Sequence, residues 1–193
     1  MRDRLFARGE VVSGQYEVRD LLGGGSMGQV YEAHDLALNR RVALKAAFPH
    51  LDRALIRREA QCLAAVRHHG VVSVHTIGEH QGVPYFVMER LYGVSLEDHM
   101  NAVFAEGELL TLAEALSVLV PLADVLAAVH AAGVAHRDVK PANVMLVVGE
   151  RVVLTDFGVV APEFSVVSGL PVVGTLEYMA PETIAGTTSP GDA

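Results

Sequence analysis

Two loops between residues 136 and 158 bring two carboxylates, an amide and an ammonium group into one short stretch of chain. The first reads His136-Arg137-Asp138-Val139-Lys140-Pro141-Ala142-Asn143 and the second Asp156-Phe157-Gly158. Residues 144–148 (Val-Met-Leu-Val-Val) and 152–155 between them are β-branched and apolar, and Gly149-Glu150-Arg151 turns the chain, which predicts a hairpin joining the loops. One carboxylate can take the proton of an attacking hydroxyl. The other, with the amide of Asn143, can hold a divalent cation against phosphate oxygens. A solitary loop aspartate most often makes an Asx turn. The company of Lys140, Asn143 and Asp156 reverses that expectation for Asp138.

Upstream elements bear on the same chemistry. Residues 16–22 alternate as a strand, Gly23-Gly24-Gly25-Ser26-Met27-Gly28 turns, and residues 29–33 return as a second strand. Glycines there let backbone amides reach phosphate oxygens with no Cβ in the way. A dinucleotide fold would follow such glycines with a helix, and a P-loop with Gly-Lys-Ser/Thr; neither follows here. A glycine-rich hairpin without a ligand is the plain alternative, and Gly-x-Gly-x-x-Gly alone is a weak signal. Residues 41–47 predict a third strand bearing Lys45. Residues 52–66 predict a helix with Leu51, Leu55, Ala60, Leu63 and Val66 as its apolar positions. Residues 71–77 and 83–88 predict two more strands around the turn at 80–82. Thr111-Leu-Ala-Glu114 is a capping box for a long helix over 112–132, in which Leu112, Leu116, Leu119, Leu122, Leu126 and Val129 form a core stripe. Pro121 should kink that helix or shift its start. A shorter helix begins over 96–101, and residues 1–14 show no period and read as a loose lead-in.

In this order the motifs resemble the catalytic domain of protein kinases, in particular bacterial, eukaryotic-like serine/threonine kinases. His136-Arg-Asp with Asn143 is similar to the catalytic loop, Asp156-Phe-Gly to the metal loop, and Val42-Ala-Leu-Lys45 to the family's Val-Ala-Ile-Lys. Gly174-Thr175-Leu-Glu-Tyr-Met-Ala-Pro-Glu182 resembles the end of the activation segment, with Leu176 where the family usually has Pro. The resemblance implies an α+β, two-lobed fold. Its N-lobe, residues 15–88, has a five-stranded antiparallel sheet and one helix. A hinge at 89–91 follows, then a mainly helical, incomplete C-lobe over 92–193 ending just after Ala-Pro-Glu.

The resemblance also implies roles. Asp138 would orient and deprotonate the substrate hydroxyl; an ordinary aspartate is a weak base at neutral pH, so positioning dominates. Lys140 would neutralise the γ-phosphate and mark the Ser/Thr branch. Lys45 would contact the α- and β-phosphates and pair with Glu59, the only interior acid of its helix. Leu22, Gly23, Gly24, Gly25, Ser26, Gly28 and Val30 would cover ATP, with Ala43 and gatekeeper Met88 at the adenine and Glu89 and Leu91 reading its edge. Asn143 and Asp156 would hold Mg²⁺. His136 and Phe157 would stack in an apolar column with Leu63. Thr175 would hydrogen-bond near Asp138 and Lys140. Arg137 would bind a phosphate on Ser168 or Ser165, the hydroxyls between Gly158 and Thr175.

Composition sets outer limits. The 193 residues carry a net charge of −8, which argues against a general nucleic-acid or anionic-membrane binder. One cysteine, Cys62, excludes an internal disulfide and points to a reducing cytoplasm. The N-terminus lacks the apolar stretch of a signal peptide. Pro121, Asp124 and His130 interrupt the most apolar segment, so no membrane span is expected. His68, His69, His75, His80 and His99 lack metal-ligand spacing, and Arg53, Arg57 and Arg58 read as a solvated helix face. Arginine outnumbers lysine thirteen to two, and both lysines, Lys45 and Lys140, fall in the motifs. The expected partners are ATP and a protein Ser/Thr substrate. Because a full kinase domain continues with more helices, the chain reads as a piece of a longer kinase, whose parent can carry a membrane anchor elsewhere. An enzyme and a non-catalytic, pseudokinase-like scaffold or inactive fragment both remain open, and retention of Lys45, Asp138, Asn143 and Asp156 favours the enzyme.

Overall fold

The computed structural model describes residues 4–158 and Tyr178. By its contacts the chain forms two units, Met1–Ala64 with Val72–Leu91, and Ala65–Val71 with Tyr92–Ala193.

The first unit is a sheet with one helix. Its elements are β1 (Val11–Val12), β2 (Tyr16–Gly24), β3 (Gly28–Asp35), β4 (Arg40–Ala47), α1 (Arg53–Ala65), β5 (Val74–His80) and β6 (Val83–Glu89). The strands pair antiparallel in the order β1-β2-β3-β4-β6-β5. Register gives the sheet two faces, since residues directly opposite each other share a side. Val30 faces Lys45, Glu32 faces Ala43, and Ala43 faces Met88 on one side. The alternate residues, Tyr31, Ala33, Val42, Leu44, Ala46, Tyr85 and Val87, form a buried apolar cluster on the other.

Residues 4–12 are not a loose lead-in. Phe6 and Val12, 2 % and 0 % exposed, complete that cluster, and Val11–Val12 adds a sixth strand to the expected five. Burying such side chains stabilises the sheet by roughly 1.5–3 kcal/mol each. The segment lacks a period because it is too short to show one. The fifth strand runs over Val74–His80 rather than 71–77. Val71 instead bridges Leu154 in parallel, within the second unit. On α1 the buried stripe is Ile56, Glu59, Ala60 and Leu63, so Ile56 replaces Leu51 and Leu55. Glu59 is buried because Lys45 awaits it.

The second unit holds β7 (Gly93–Ser95), α2 (Leu96–Ala105), α3 (Leu112–Ala131), β8 (Val144–Val147) and β9 (Arg151–Leu154). The strands form a sheet in the order β7-β8-β9. Ser95 caps α2, accepting from Asp98 N at 3.0 Å. Thr111 and Glu114 close the capping box of α3, so the helix starts there and runs through Pro121 without a shifted start.

The expected core stripe of α3 is only half right. Leu122, Val125 and Val129 are buried, whereas Leu112, Leu116, Leu119 and Val120 are exposed. Packing against β9 covers only the C-terminal turns, and helical periodicity cannot tell a covered apolar face from an open one. By length and composition α3, with mean hydropathy 2.0, could cross a membrane. Its Asp124 pairs with His68 at 3.1 Å, and Val125 and Val129 are fully packed, as in a helix seated in its own unit.

Candidate active site

In the first unit the glycine turn joins β2 to β3, closed by Gly25 N donating to Gly28 O at 3.0 Å. Phe48 N donates to Met27 O at 3.1 Å. A cavity of about 400 Å³ is lined by Gly24, Gly25, Ser26, Gly28, Gln29 and Phe48. The glycines differ in what they do. A Cβ on Gly28 would lie 2.0 Å from Ala46 O, so that position is glycine for strand packing, whereas one on Gly23 or Gly25 meets open space. Leu22 lies at a register shift and is 41 % exposed.

Lys45 Nζ lies 2.6 Å from Glu59 Oε1, with side chains 12 % and 7 % exposed. Water cannot solvate either charge well there, so each serves as the other's counter-ion. Val30, Ala43 and Met88 share the face of Lys45. After β6, Arg90 Nε donates to Glu32 Oε2 at 2.9 Å and Arg90 Nη1 to the carbonyl of Leu91, beside Glu89.

In the second unit the two motif loops clasp each other. Asn143, 5 % exposed, ends a 3₁₀ turn over Pro141–Asn143. Its Nδ2 donates to the carbonyl and to Oδ2 of Asp138, both at 2.8 Å. Lys140 Nζ meets the same Oδ2 at 2.8 Å, so the two motif charges sit against each other. Asn143 O accepts from Thr155 N at 2.9 Å and Thr155 Oγ1 at 3.1 Å, which brings the chain of Asp156 alongside. Gly158 N then donates to His136 O at 2.8 Å. A Cβ at Gly158 would stand 2.9 Å from Asp138 Cβ and 3.2 Å from His136 O.

His136 is the buried post behind this clasp, 2 % exposed. Its Nδ1 accepts from Asp138 N at 3.3 Å, so Nε2 carries the proton and donates to Thr155 O at 2.9 Å. Burial pushes its pKa below the ordinary histidine value, keeping the ring neutral. Phe157 packs on it with ring centroids 4.6 Å apart. Arg137 and Asp156 both adopt left-handed backbone, φ 64° and 54°, a conformation costing about 1–3 kcal/mol and held by the bonds around it. Arg137 is exposed.

The oxygens of Asn143 and Asp156 are hard donors, few in number, which suits a cation that keeps water and phosphate in its shell. Among the described residues no cluster of three acidic, histidine or cysteine side chains competes for a metal. Leu63, expected in the apolar column, is buried on α1. Ser165, Ser168 and Thr175 lie outside the described residues. Gln29, Phe48 and Thr155 were not anticipated, since their part comes from pairing partners far away in the sequence.

Residues 16–192 match the family model described as Protein kinase domain. The chain belongs to the protein kinase family. It is 36 % identical over 197 residues to the probable serine/threonine-protein kinase PknB of Corynebacterium glutamicum, covering 95 % of this chain and 29 % of that protein. It is 37 % identical over 194 residues to the serine/threonine-protein kinase PknA of Mycobacterium tuberculosis, covering 92 % and 43 %. The crystal structure of the Mycobacterium tuberculosis PknI kinase domain superimposes with TM-score 0.73 at 31 % identity, covering 96 % of this chain and 71 % of that one. The kinase-family chain thus spans less than half the length of the curated relatives named here. Its two-unit architecture, an antiparallel sheet with one helix followed by a helical unit, is that of an incomplete kinase fold. Kinases of this family use ATP and a divalent metal and act on proteins.

Proposed function

We propose that this chain is catalytic machinery of a cytoplasmic serine/threonine protein kinase that moves the γ-phosphoryl group of Mg·ATP to a protein hydroxyl. The observation that carries the reading is the convergence on Asp138. Its carboxylate is held by the Asn143 amide and the Lys140 ammonium, on a loop whose backbone is tied to the Asp156 loop at two points.

The chemistry follows from that arrangement. Asp138 accepts a hydrogen bond from the acceptor hydroxyl, aims its oxygen in line with the γ-phosphorus and takes its proton as the new O–P bond forms and the bond from the γ-phosphorus to the bridging oxygen breaks, releasing ADP. Lys140, sharing that carboxylate, puts positive charge where negative charge builds on the phosphoryl oxygens. Asn143 and Asp156 would hold Mg²⁺, which when bound neutralises phosphate charge. Lys45, held in place by Glu59, binds the non-transferred phosphates, and the amides of the glycine turn cover them. Met88 and Ala43 border the adenine, with Glu89 and Leu91 reading its edge. Arg137 takes a phosphate on Ser168 or Ser165.

The test is Asp138→Asn in the 193-residue chain. The variant should retain Mg·ATP binding and lose phosphate transfer to protein Ser/Thr by at least about a thousandfold. Transfer at the wild-type rate would overturn the assignment. Mass spectrometry of active protein showing both Ser165 and Ser168 unmodified would remove the Arg137 role.

A further inference from the structure

The glycine turn is held from behind by the N-terminal segment. Leu5 N donates to Gln29 Oε1 at 2.8 Å, and Tyr31 OH donates to the same oxygen. Phe6 N donates to Tyr31 OH at 3.1 Å. Two backbone amides, a phenol and a carboxamide thus form one directional chain, with Gln29 only 5 % exposed. Such a chain polarises along its length, and a buried member deprived of its partner is costly, so it resists partial opening.

Gln29 is also the residue paired directly across from Gly24. Its Cγ lies 3.4 Å from where a Cβ on Gly24 would stand, and Gln29 helps line the cavity at the turn. The far end of the segment is pinned independently. Ser13 N donates to His80 Nδ1 at 3.1 Å, Tyr85 OH to Ser13 Oγ at 2.8 Å, and His80 Nε2 lies 3.4 Å from Glu10 Oε1. Phe6, between the two anchors, packs its ring on Tyr31 and His80 at centroid distances of 5.7 and 5.9 Å.

We infer that residues 4–13 form a strap that sets the glycine turn for phosphate binding, with Gln29 as the positioning residue that transmits it. The inference rests on the kinase reading above. A glycine turn has few side chains of its own to fix it, so its amides need support from the strand that leaves it. The strap sits on the core face of the sheet, opposite Lys45, and acts on the turn without touching nucleotide. Anything that lifts the strap therefore weakens phosphate binding first.

The test compares Mg·ATP with adenosine, which lacks phosphates, by calorimetric titration of the full 193-residue chain, with melting curves to confirm folding. Gln29→Met keeps the bulk and removes the acceptor; Leu5→Pro removes the donor and leaves Gln29 intact. Each should weaken Mg·ATP roughly tenfold while adenosine stays within about twofold of wild type. A merely structural loss would move both ligands together. Wild type that binds Mg·ATP, with both variants binding ATP unchanged or losing ATP and adenosine alike, overturns the strap alone. Wild type that binds no Mg·ATP overturns the proposal that this chain is itself ATP-binding catalytic machinery, and the strap with it.

Discussion

The Asn143 amide nitrogen reaches both the backbone carbonyl and the carboxylate of Asp138 at 2.8 Å. One side chain therefore fixes the height and the rotation of the carboxylate on its loop. A residue expected to hold metal also holds the aspartate proposed as the base.

Asn143→Leu should show that double duty. It takes the Asn143 donor from the Asp138 carbonyl and from Oδ2, which keeps Lys140, and should cost about 1–3 kcal/mol. The expected outcome is a lower melting temperature before any nucleotide is added, together with loss of transfer. An unchanged melting temperature would mean the bonds carry no structural weight.

Lys45 and Glu59 should behave as a coupled buried pair. Lys45→Met or Glu59→Leu alone removes the 2.6 Å counter-ion of a buried charge and should destabilise by about 3–5 kcal/mol. The double variant should be more stable than the sum of the singles predicts, by about 1–3 kcal/mol. Denaturant melts of the four proteins measure this, and all three variants should lose transfer.

His136 makes the second unit acid-sensitive. Its folded pKa lies below the unfolded value of 6.5, so on acidification the unfolded chain takes up the proton first. Stability is full above pH 6.5 and falls from there down to the folded pKa, below which this contribution stops changing. Protonation at Nδ1 would also turn the acceptor of the Asp138 amide into a donor. His136→Phe should be less stable at neutral pH, yet its melting temperature should fall less between pH 7 and 5.5. His75, whose pKa burial also lowers, contributes equally in both proteins.

Two glycines should separate packing from binding. Gly28→Ala places a Cβ 2.0 Å from Ala46 O and should destabilise by more than about 3 kcal/mol. Gly23→Ala meets nothing within 4 Å, so the ligand-free melting temperature should hold within about 2 °C. Its Mg·ATP affinity should fall. Equal melting losses in both would contradict the contrast.

How far the sequence reaches differs from residue to residue. The pairing of Lys45 with Glu59 was legible because the kinase resemblance implies a pair between that lysine and an acid on the next helix, where Glu59 is the single interior acid. The hairpin between the two loops was legible from alternating β-branched runs, although its turn centres on 148–150 rather than 149–151. The capping box at Thr111 and Glu114 was legible because it is a local exchange of bonds over three residues. The packed N-terminal segment was not, since Phe6 and Val12 gain their burial from strands up to eighty residues away. Nor was the open face of α3, because apolar spacing says which side a helix offers and not whether anything meets it.

By itself the sequence determined the chemistry: which carboxylates, amide and ammonium groups exist, and that short local elements carry them on two loops. Those features depend on spacing along the chain, which sequence states directly. Only the tertiary structure decided that Asn143 and Lys140 share one carboxylate oxygen, that His136 is a neutral buried post, and that residues 4–13 back the glycine turn. Each of these depends on burial and on hydrogen bonds between distant segments, and no local pattern encodes which distant partner a polar group will find.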